Sequence, residues 1–188
     1  MNFPIHVESK LINPGFGNDS YPYCISFTYF QGQQYIAYGS ANRVIIVSNN
    51  LSIIASLCKH KPGTFVTAVA WAQYSGKLTS CGTDLALNIW QPISNGWECI
   101  STFSIPHIAN CISWNYCDTK FCIASKTFAV YNVENIDKNN NHLIPVFVSS
   151  TPTEYCQYSR DSRFILTLQK NKKHNYIWYM GSRGEYRR

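Results

Sequence analysis

Read along its length, the chain alternates short apolar runs, rich in Val, Ile, Phe, Tyr and Trp, with clusters of Gly, Asn, Asp and Ser. Runs of that length and chemistry, bounded by turn formers, predict β-strands joined by tight connections. The stretch from Thr64 shows it most plainly: TFVTAVAWA, a turn at Tyr74-Ser75-Gly76, KLTSCG, a tight turn at Thr83-Asp84, LALNIWQP and GWECISTFS. Other stretches follow the same plan. The first group reads YCISF, QYIAYGS, RVIIVS and LSIIASL; the third reads NCISW, a turn holding Asp118, KFCIAS, TFAVYNV and LIPVFVSS. The fourth reads EYCQY, a turn holding Asp161, RFILTLQ and NYIWYM, with no fourth strand legible. The pattern predicts an all-β fold.

Two seven-residue stretches, CISFTYF from Cys24 and CISWNYC from Cys111, are near-doubles, and they set a period. Phe27 and Trp114 hold the same place in each, and Trp71 and Tyr158 extend the series at intervals of 44, 43 and 44 residues. A second ladder uses different residues. The runs VIIV, LNIW, FAVY and YIW end at Val47, Trp90, Tyr131 and Trp178, at intervals of 43, 41 and 47, the last stretched by the polar insert IDKNNNH. Four-stranded units at such a period resemble the blades of WD-repeat propellers. Blades are expected at 21–58, 64–104, 108–150 and 153–180, after an N-terminal segment 1–20 and before a polar tail 181–188. That makes about four blades, the last one partial, where a WD propeller normally takes about seven.

Blade two carries the resemblance best: Trp90 stands at the strand-c Trp, and Asp84 lies six residues before it, where the repeat buries a hydrogen-bonded carboxylate. The dipeptide is degraded, with Gln91 after Trp90, Asn132 after Tyr131 and Ser48 after Val47. The Gly-His that opens the repeat is missing. His60 and His107 precede Trp71 and Trp114 at the unequal offsets of 11 and 7, so a full Asp-His-Ser/Thr-Trp relay is not expected.

Composition supports a core, with 45% hydrophobic and 15% aromatic residues. Eight cysteines could mark a disulfide framework, yet Cys24, Cys111 and Cys122 sit inside apolar runs, where a thiol behaves as a small hydrophobe. The first twenty residues hold no apolar run of signal-peptide length. FVTAVAWA, the longest apolar run, falls far short of the ~20 residues a spanning helix needs, so an intracellular location is expected. Net charge is +6, but six of the sixteen basic side chains, Lys170, Lys172, Lys173, Arg183, Arg187 and Arg188, crowd the end of the chain.

The stretches LINPG, QYIAYGSANRVIIVSNNLSIIASL, SGKLTSCGTDLALNIWQPISNGWE, NCISW and YCQYSRDSRFILTL, in that order, resemble the amino-terminal propeller of the DmX-like proteins, or rabconnectins, and of their fungal counterpart in the RAVE complex. The likeness spans roughly residues 11 to 180. It implies part of a very large non-enzymatic scaffold on the cytosolic face of endosomes, lysosomes, vacuoles or synaptic vesicles. The implied partners are peripheral-sector subunits of the vacuolar H+-ATPase, whose assembly the family promotes, and other RAVE or rabconnectin proteins. No cofactor and no small-molecule substrate are implied. Because four blades leave sheet faces open, the ending GSRGEYRR reads as that of a truncated isoform or an incomplete gene model.

Catalytic and metal chemistry find little footing. Ten carboxylates and five histidines are scattered, with no Ser-His-Asp or Cys-His order. Asp84, Asp118 and Asp161 are read as hairpin residues. Cys111, Cys117 and Cys122 lack zinc spacing, and Cys58-Lys59-His60 lacks a partner pair. No phosphate-binding glycine loop occurs, so neither metal nor cofactor is expected. The candidate contacts are protein-binding positions on the rim made by the b–c and d–a connections: Asn42, His60, Lys61, His107 and Lys126. The run QKNKKH would add a basic contact there for an acidic protein or anionic lipid. Two alternatives stay open: a generic WD adaptor such as a ubiquitin-ligase substrate receptor, and, on charge, a nucleic-acid-binding protein.

Overall fold

The computed structural model describes residues 21–133, 143–169, 175–181 and 185–188. The N-terminal segment 1–20, the insert IDKNNNH and the lysines of QKNKKH lie outside them.

The apolar runs form four antiparallel sheets, each a meander of four strands in chain order. Blade one comprises β1 (Ile25–Phe30), β2 (Gln33–Ser40), β3 (Arg43–Ser48) and β4 (Ile53–Cys58). Blade two comprises β5 (Val66–Trp71), β6 (Leu78–Gly82), β7 (Ala86–Ile93) and β8 (Gly96–Ser104). Blade three comprises β9 (Cys111–Trp114), β10 (Lys120–Ala124), β11 (Phe128–Asn132) and β12 (Pro145–Ser149). Blade four comprises β13 (Tyr155–Tyr158), β14 (Phe164–Leu168), β15 (Tyr176–Met180) and β16 (Tyr186–Arg187). The fourth strand of the last blade therefore lies in what reads as a tail. With only two residues, it has too short an apolar alternation to be seen in sequence.

The first strands β1, β5, β9 and β13 pack in succession, giving a four-blade propeller arrangement. β5 and β9 are buried along their whole length, which is why VTAVAW and CISW read as continuous apolar runs rather than alternating ones. Three cores lie between successive blades. Val44, Ile46, Trp71, Leu78 and Trp90 fill the first, Ile89, Trp114, Phe121 and Tyr131 the second, and Phe128, Val130, Tyr158, Ile165 and Trp178 the third. In each case both ladder residues of the later blade, such as Trp71 and Trp90, face the blade before. The second ladder also marks a backbone irregularity: the pairing of the third and fourth strands shifts register between Ile46 and Val47, Ile89 and Trp90, and Val130 and Tyr131. The same irregularity thus recurs at one repeat position in blades one to three.

Phe27 departs from its ladder. It is 61% exposed, against 3% for Trp71 and 6% for Trp114 and Tyr158, because no described sheet precedes blade one to cover it. Trp178 packs inward as the strand pattern requires, whereas Tyr179 faces out from blade four.

Candidate protein-interaction surface

The hairpins between second and third strands and the connectors between blades share one end of the propeller, here the upper rim. Ala41 and Leu85, one repeat apart, both turn in the left-handed region at φ 49° and 58°. Around Leu85 the rim is held by a hydrogen-bonded relay. Trp90 Nε1 donates to Ser80 Oγ at 3.0 Å, Ser80 Oγ lies 3.0 Å from His60 Nε2, and His60 Nδ1 lies 3.0 Å from the Asp84 carboxylate. The Asn88 amide nitrogen, 3.1 Å from His60 Nε2, can only donate, so Nε2 accepts and the proton sits on Nδ1, pointing at Asp84. The relay is complete in blade two, contrary to the expectation from sequence. His60 reaches it from a connector whose length, not its offset from Trp71, decides where the ring falls.

Burial works against ionisation of Asp84, but the Lys61 N–H, the His60 ring and the Ala86 N–H outweigh it and hold the carboxyl below its ordinary range. Gly82 is part of this fit. A Cβ there would meet Asp84 Oδ1 at 2.6 Å and His60 Nδ1 at 2.7 Å. Only a hydrogen clears both.

The relay redefines three of the five rim candidates. His60 is 2% exposed and serves the fold, not a partner. Asn42 donates to the His60 carbonyl at 3.1 Å, and the Lys61 N–H donates to Asp84 at 3.0 Å, leaving the Lys61 side chain exposed. The other two candidates, His107 and Lys126, come together. They line a cleft of about 460 Å³ with Tyr21, Leu85, Ile108 and Asn110. A second cleft of about 350 Å³ shares Tyr21, Asn110 and Lys126 with it and runs on to Tyr23, Thr153 and Glu154.

The floor of this groove is tied by backbone. The Asn110 N–H donates to the Ala124 carbonyl at 2.7 Å, the Asn110 side chain donates to the Thr153 carbonyl at 3.1 Å, and the Thr153 N–H donates to the Ser125 carbonyl at 2.8 Å. Tyr23 crosses from blade one to pack against Tyr155 of blade four, with the rings tilted at 47° and their centroids 5.1 Å apart. Burial, and then the Glu154 carboxylate, raise the Tyr23 phenol above its ordinary pKa. Tyr21, Asn110 and Thr153 come from three separate connectors, and no local motif announces them.

The opposite rim is stapled between blades. Asp118, at φ 56° in the turn after β9, accepts the Tyr74 N–H of blade two at 2.9 Å. Ser162, at φ 61° and 44 residues later, accepts the Tyr116 N–H of blade three at 2.9 Å. Asp161 instead closes its own turn on the Arg163 N–H, so Ser162 rather than Asp161 is the counterpart of Asp118.

The repeated CIS stretches are staples of the same kind. Ser26 accepts the Trp71 N–H at 3.1 Å, and Ser113 accepts the Tyr158 N–H at 3.0 Å. Beside them Cys24 donates to the Val66 carbonyl at 3.2 Å and Cys111 to the Cys156 carbonyl at 3.4 Å. Burial raises the Cys81 and Cys156 thiols, and the Cys156 hydrogen bond followed by burial raises Cys111, so the uncharged thiol is favoured at all three. Among the described residues no three His, Cys, Asp or Glu side chains converge as a metal would need.

No protein-family model matches the chain, and no curated protein does. Solved structures match widely, 954 chains in number, so the likeness is to an architecture rather than to one protein. One of them, described as the crystal structure of a mitotic checkpoint complex, aligns over 95% of this chain with a TM-score of 0.70 and 15% identity. The fold is that of a WD-type propeller. This chain spans 56% of that neighbour's length. Among the described residues no helix is long and apolar enough to cross a membrane.

Proposed function

We propose that the chain is a non-enzymatic protein-interaction scaffold that takes partner proteins in the upper-rim groove around His107, Asn110 and Lys126. The observation that carries the reading is the pair of adjoining clefts built from the Tyr21–Tyr23 segment and the connectors of blades two to four, on a floor fixed by backbone hydrogen bonds. Variable loops on a rigid frame are where binding surfaces form. Arg43, Lys59, Lys61 and Lys126 are exposed along this end, against the one carboxylate that lines the clefts, Glu154, while Asp84 is consumed by the relay, so an acidic segment of a partner suits it.

The finer assignment is to assembly of the vacuolar H+-ATPase on endomembranes, with peripheral-sector subunits as the partners. Its support is the ordered resemblance of LINPG, the QYIAYGS stretch, the SGKLTSCGTD blade, NCISW and YCQYSRDSRF to the DmX-like family.

Biolayer interferometry with the immobilised chain and purified peripheral-sector subunits tests both levels. The expected result is saturable binding that falls about tenfold or more when Lys126→Glu is combined with His107→Ala. Binding that ignores the double substitution contradicts the groove, and no binding to any subunit contradicts the proton-pump assignment.

A further inference from the structure

Apart from tyrosine phenols, the titratable side chains that line the upper-rim clefts are His107, Lys126 and Glu154, and they divide by sign. His107 and Lys126 share the cleft of about 460 Å³, while Lys126 shares the cleft of about 350 Å³ with Glu154. Lys126 is exposed in the hairpin between β10 and β11, and Glu154 is half-buried on the connector into blade four. Blade three has a described blade packed on each side, so its hairpin and both its connectors stand among neighbours.

Backbone hydrogen bonds fix where the two opposite charges of the smaller cleft start from. The Thr153 N–H donates to the Ser125 carbonyl at 2.8 Å, which joins the residue before Glu154 to the residue before Lys126. The Glu154 N–H is tied in turn to the Leu168 carbonyl at 2.9 Å. Their charged ends nevertheless do not meet: among the described residues neither Lys126 nor Glu154 has an ion pair. The Glu154 charge is felt instead at Tyr23 in the same cleft, where, after burial, it is the next cause that raises the phenol. Unpaired charges of opposite sign in one cleft attract a ligand whose charges run the other way and repel the same ligand reversed.

We propose that the groove reads a bipolar segment of a partner protein, with an acidic side chain against Lys126 and His107 and a basic one against Glu154. The inference rests on the upper-rim reading and adds an orientation to it. An all-acidic segment would meet Glu154 at the far end, and a reversed one would meet like charge at both. Between the charged ends Tyr21 and Tyr23 wall the groove, which suits an apolar side chain of the same segment. The clefts adjoin through Tyr21, Asn110 and Lys126, so the fitting ligand is an extended stretch of chain and not a small zwitterion.

Capped peptides titrated into the chain by calorimetry at low salt read the outcome: Asp-Asp-Gly-Ala-Gly-Lys-Lys, the same sequence reversed, and an acidic version with Gln in place of both Lys. The wild type should bind one of the two bipolar peptides with a Kd below about 1 mM, and about threefold or more tightly than its reverse or the acidic version. Glu154→Lys should weaken that peptide by about threefold or more while tightening the acidic one. Exchanging the charges, with Lys126→Glu and Glu154→Lys together, should invert the preferred direction at unchanged net charge. Both side chains lie outside the three packed cores, so each variant should keep the far-ultraviolet spectrum of the folded chain. Glu154→Gln, the milder change, should level the bipolar and acidic peptides. Equal binding of the two directions, or an acidic peptide bound as tightly as the bipolar one with Glu154→Lys tightening both, would overturn the bipolar groove and leave an acid-binding rim. No peptide bound up to about 1 mM would also overturn it, whereas the rim reading itself stands or falls on the subunit measurement with Lys126→Glu and His107→Ala.

Discussion

His60 and Asp84, 24 residues apart, meet at 3.0 Å between ring nitrogen and carboxylate, with side chains 0% and 1% exposed. The pair fixes a connector between blades to a hairpin within blade two. Replacing Asp84 with Asn should destabilise the fold by about 1.5–3 kcal/mol, since a charge-assisted bond is lost and three donors face a weaker acceptor. Urea unfolding of the wild type and the variant, compared at neutral pH, measures it.

Acid should reproduce part of that loss. The folded-state pKa of Asp84 lies below its unfolded value, so the folded protein binds fewer protons around pH ~4. Its stabilisation is fully present above the unfolded pKa and is lost as pH falls through the folded one. Urea titrations from neutral pH down to pH ~3 should therefore show the wild type and Asp84→Asn converging. Parallel curves across that window would mean that Asp84 contributes no proton linkage.

Gly82→Ala should act on the same relay without touching a polar group. The added methyl would meet Asp84 and His60 inside van der Waals distance, so the relay must part or the hairpin must shift. A loss of about 1–3 kcal/mol is expected. A control at Gly63, where an added Cβ meets nothing within 4 Å, separates this clash from backbone strain, since Gly63 sits at φ 76°.

Ser113 provides a test of the interblade staples. Ser113→Ala leaves the buried Tyr158 N–H without its acceptor and should cost about 1–3 kcal/mol. Ala70 holds the equivalent place in blade two, so Ala70→Ser offers the reverse experiment: a hydroxyl placed for the Trp114 N–H. Thermal unfolding of both variants should show a lower midpoint for the first and an equal or higher one for the second.

The strands, their grouping and the period were legible because each blade buries the same faces, so Trp71, Trp114 and Tyr158 recur where packing demands them. Asp84 and Trp90 were legible for the same reason. The role of His60 was not. A connector's residue is placed by the path of the chain and not by its spacing from a strand, so the offset of 11 to Trp71 suggested no relay. Phe27 was read only by its place in the repeat, and a repeat position says nothing about whether a neighbour covers the side chain. The groove stayed hidden except for His107 and Lys126, because it joins Tyr21, Asn110 and Thr153 from connectors far apart in sequence. Asp161 closes its own turn, as a hairpin residue does, while the interblade contact falls to its neighbour Ser162 in the left-handed turn, which no sequence signal singled out.

The central claim is that the cysteines of the repeated CIS stretches are packing elements of adjoining blades and not a site. Thiol titration with a chromogenic disulfide reagent, first on the native protein and then in denaturant, reads it directly. Cys58 and Cys117 are exposed and Cys99 is half-buried, while Cys24, Cys81, Cys111, Cys122 and Cys156 are buried. The account predicts fast reaction at Cys58 and Cys117, slower reaction at Cys99, and modification of the other five only on unfolding, with no change when a metal chelator is added. Fast native modification of Cys24 or Cys111, or thiols released by the chelator, would contradict it.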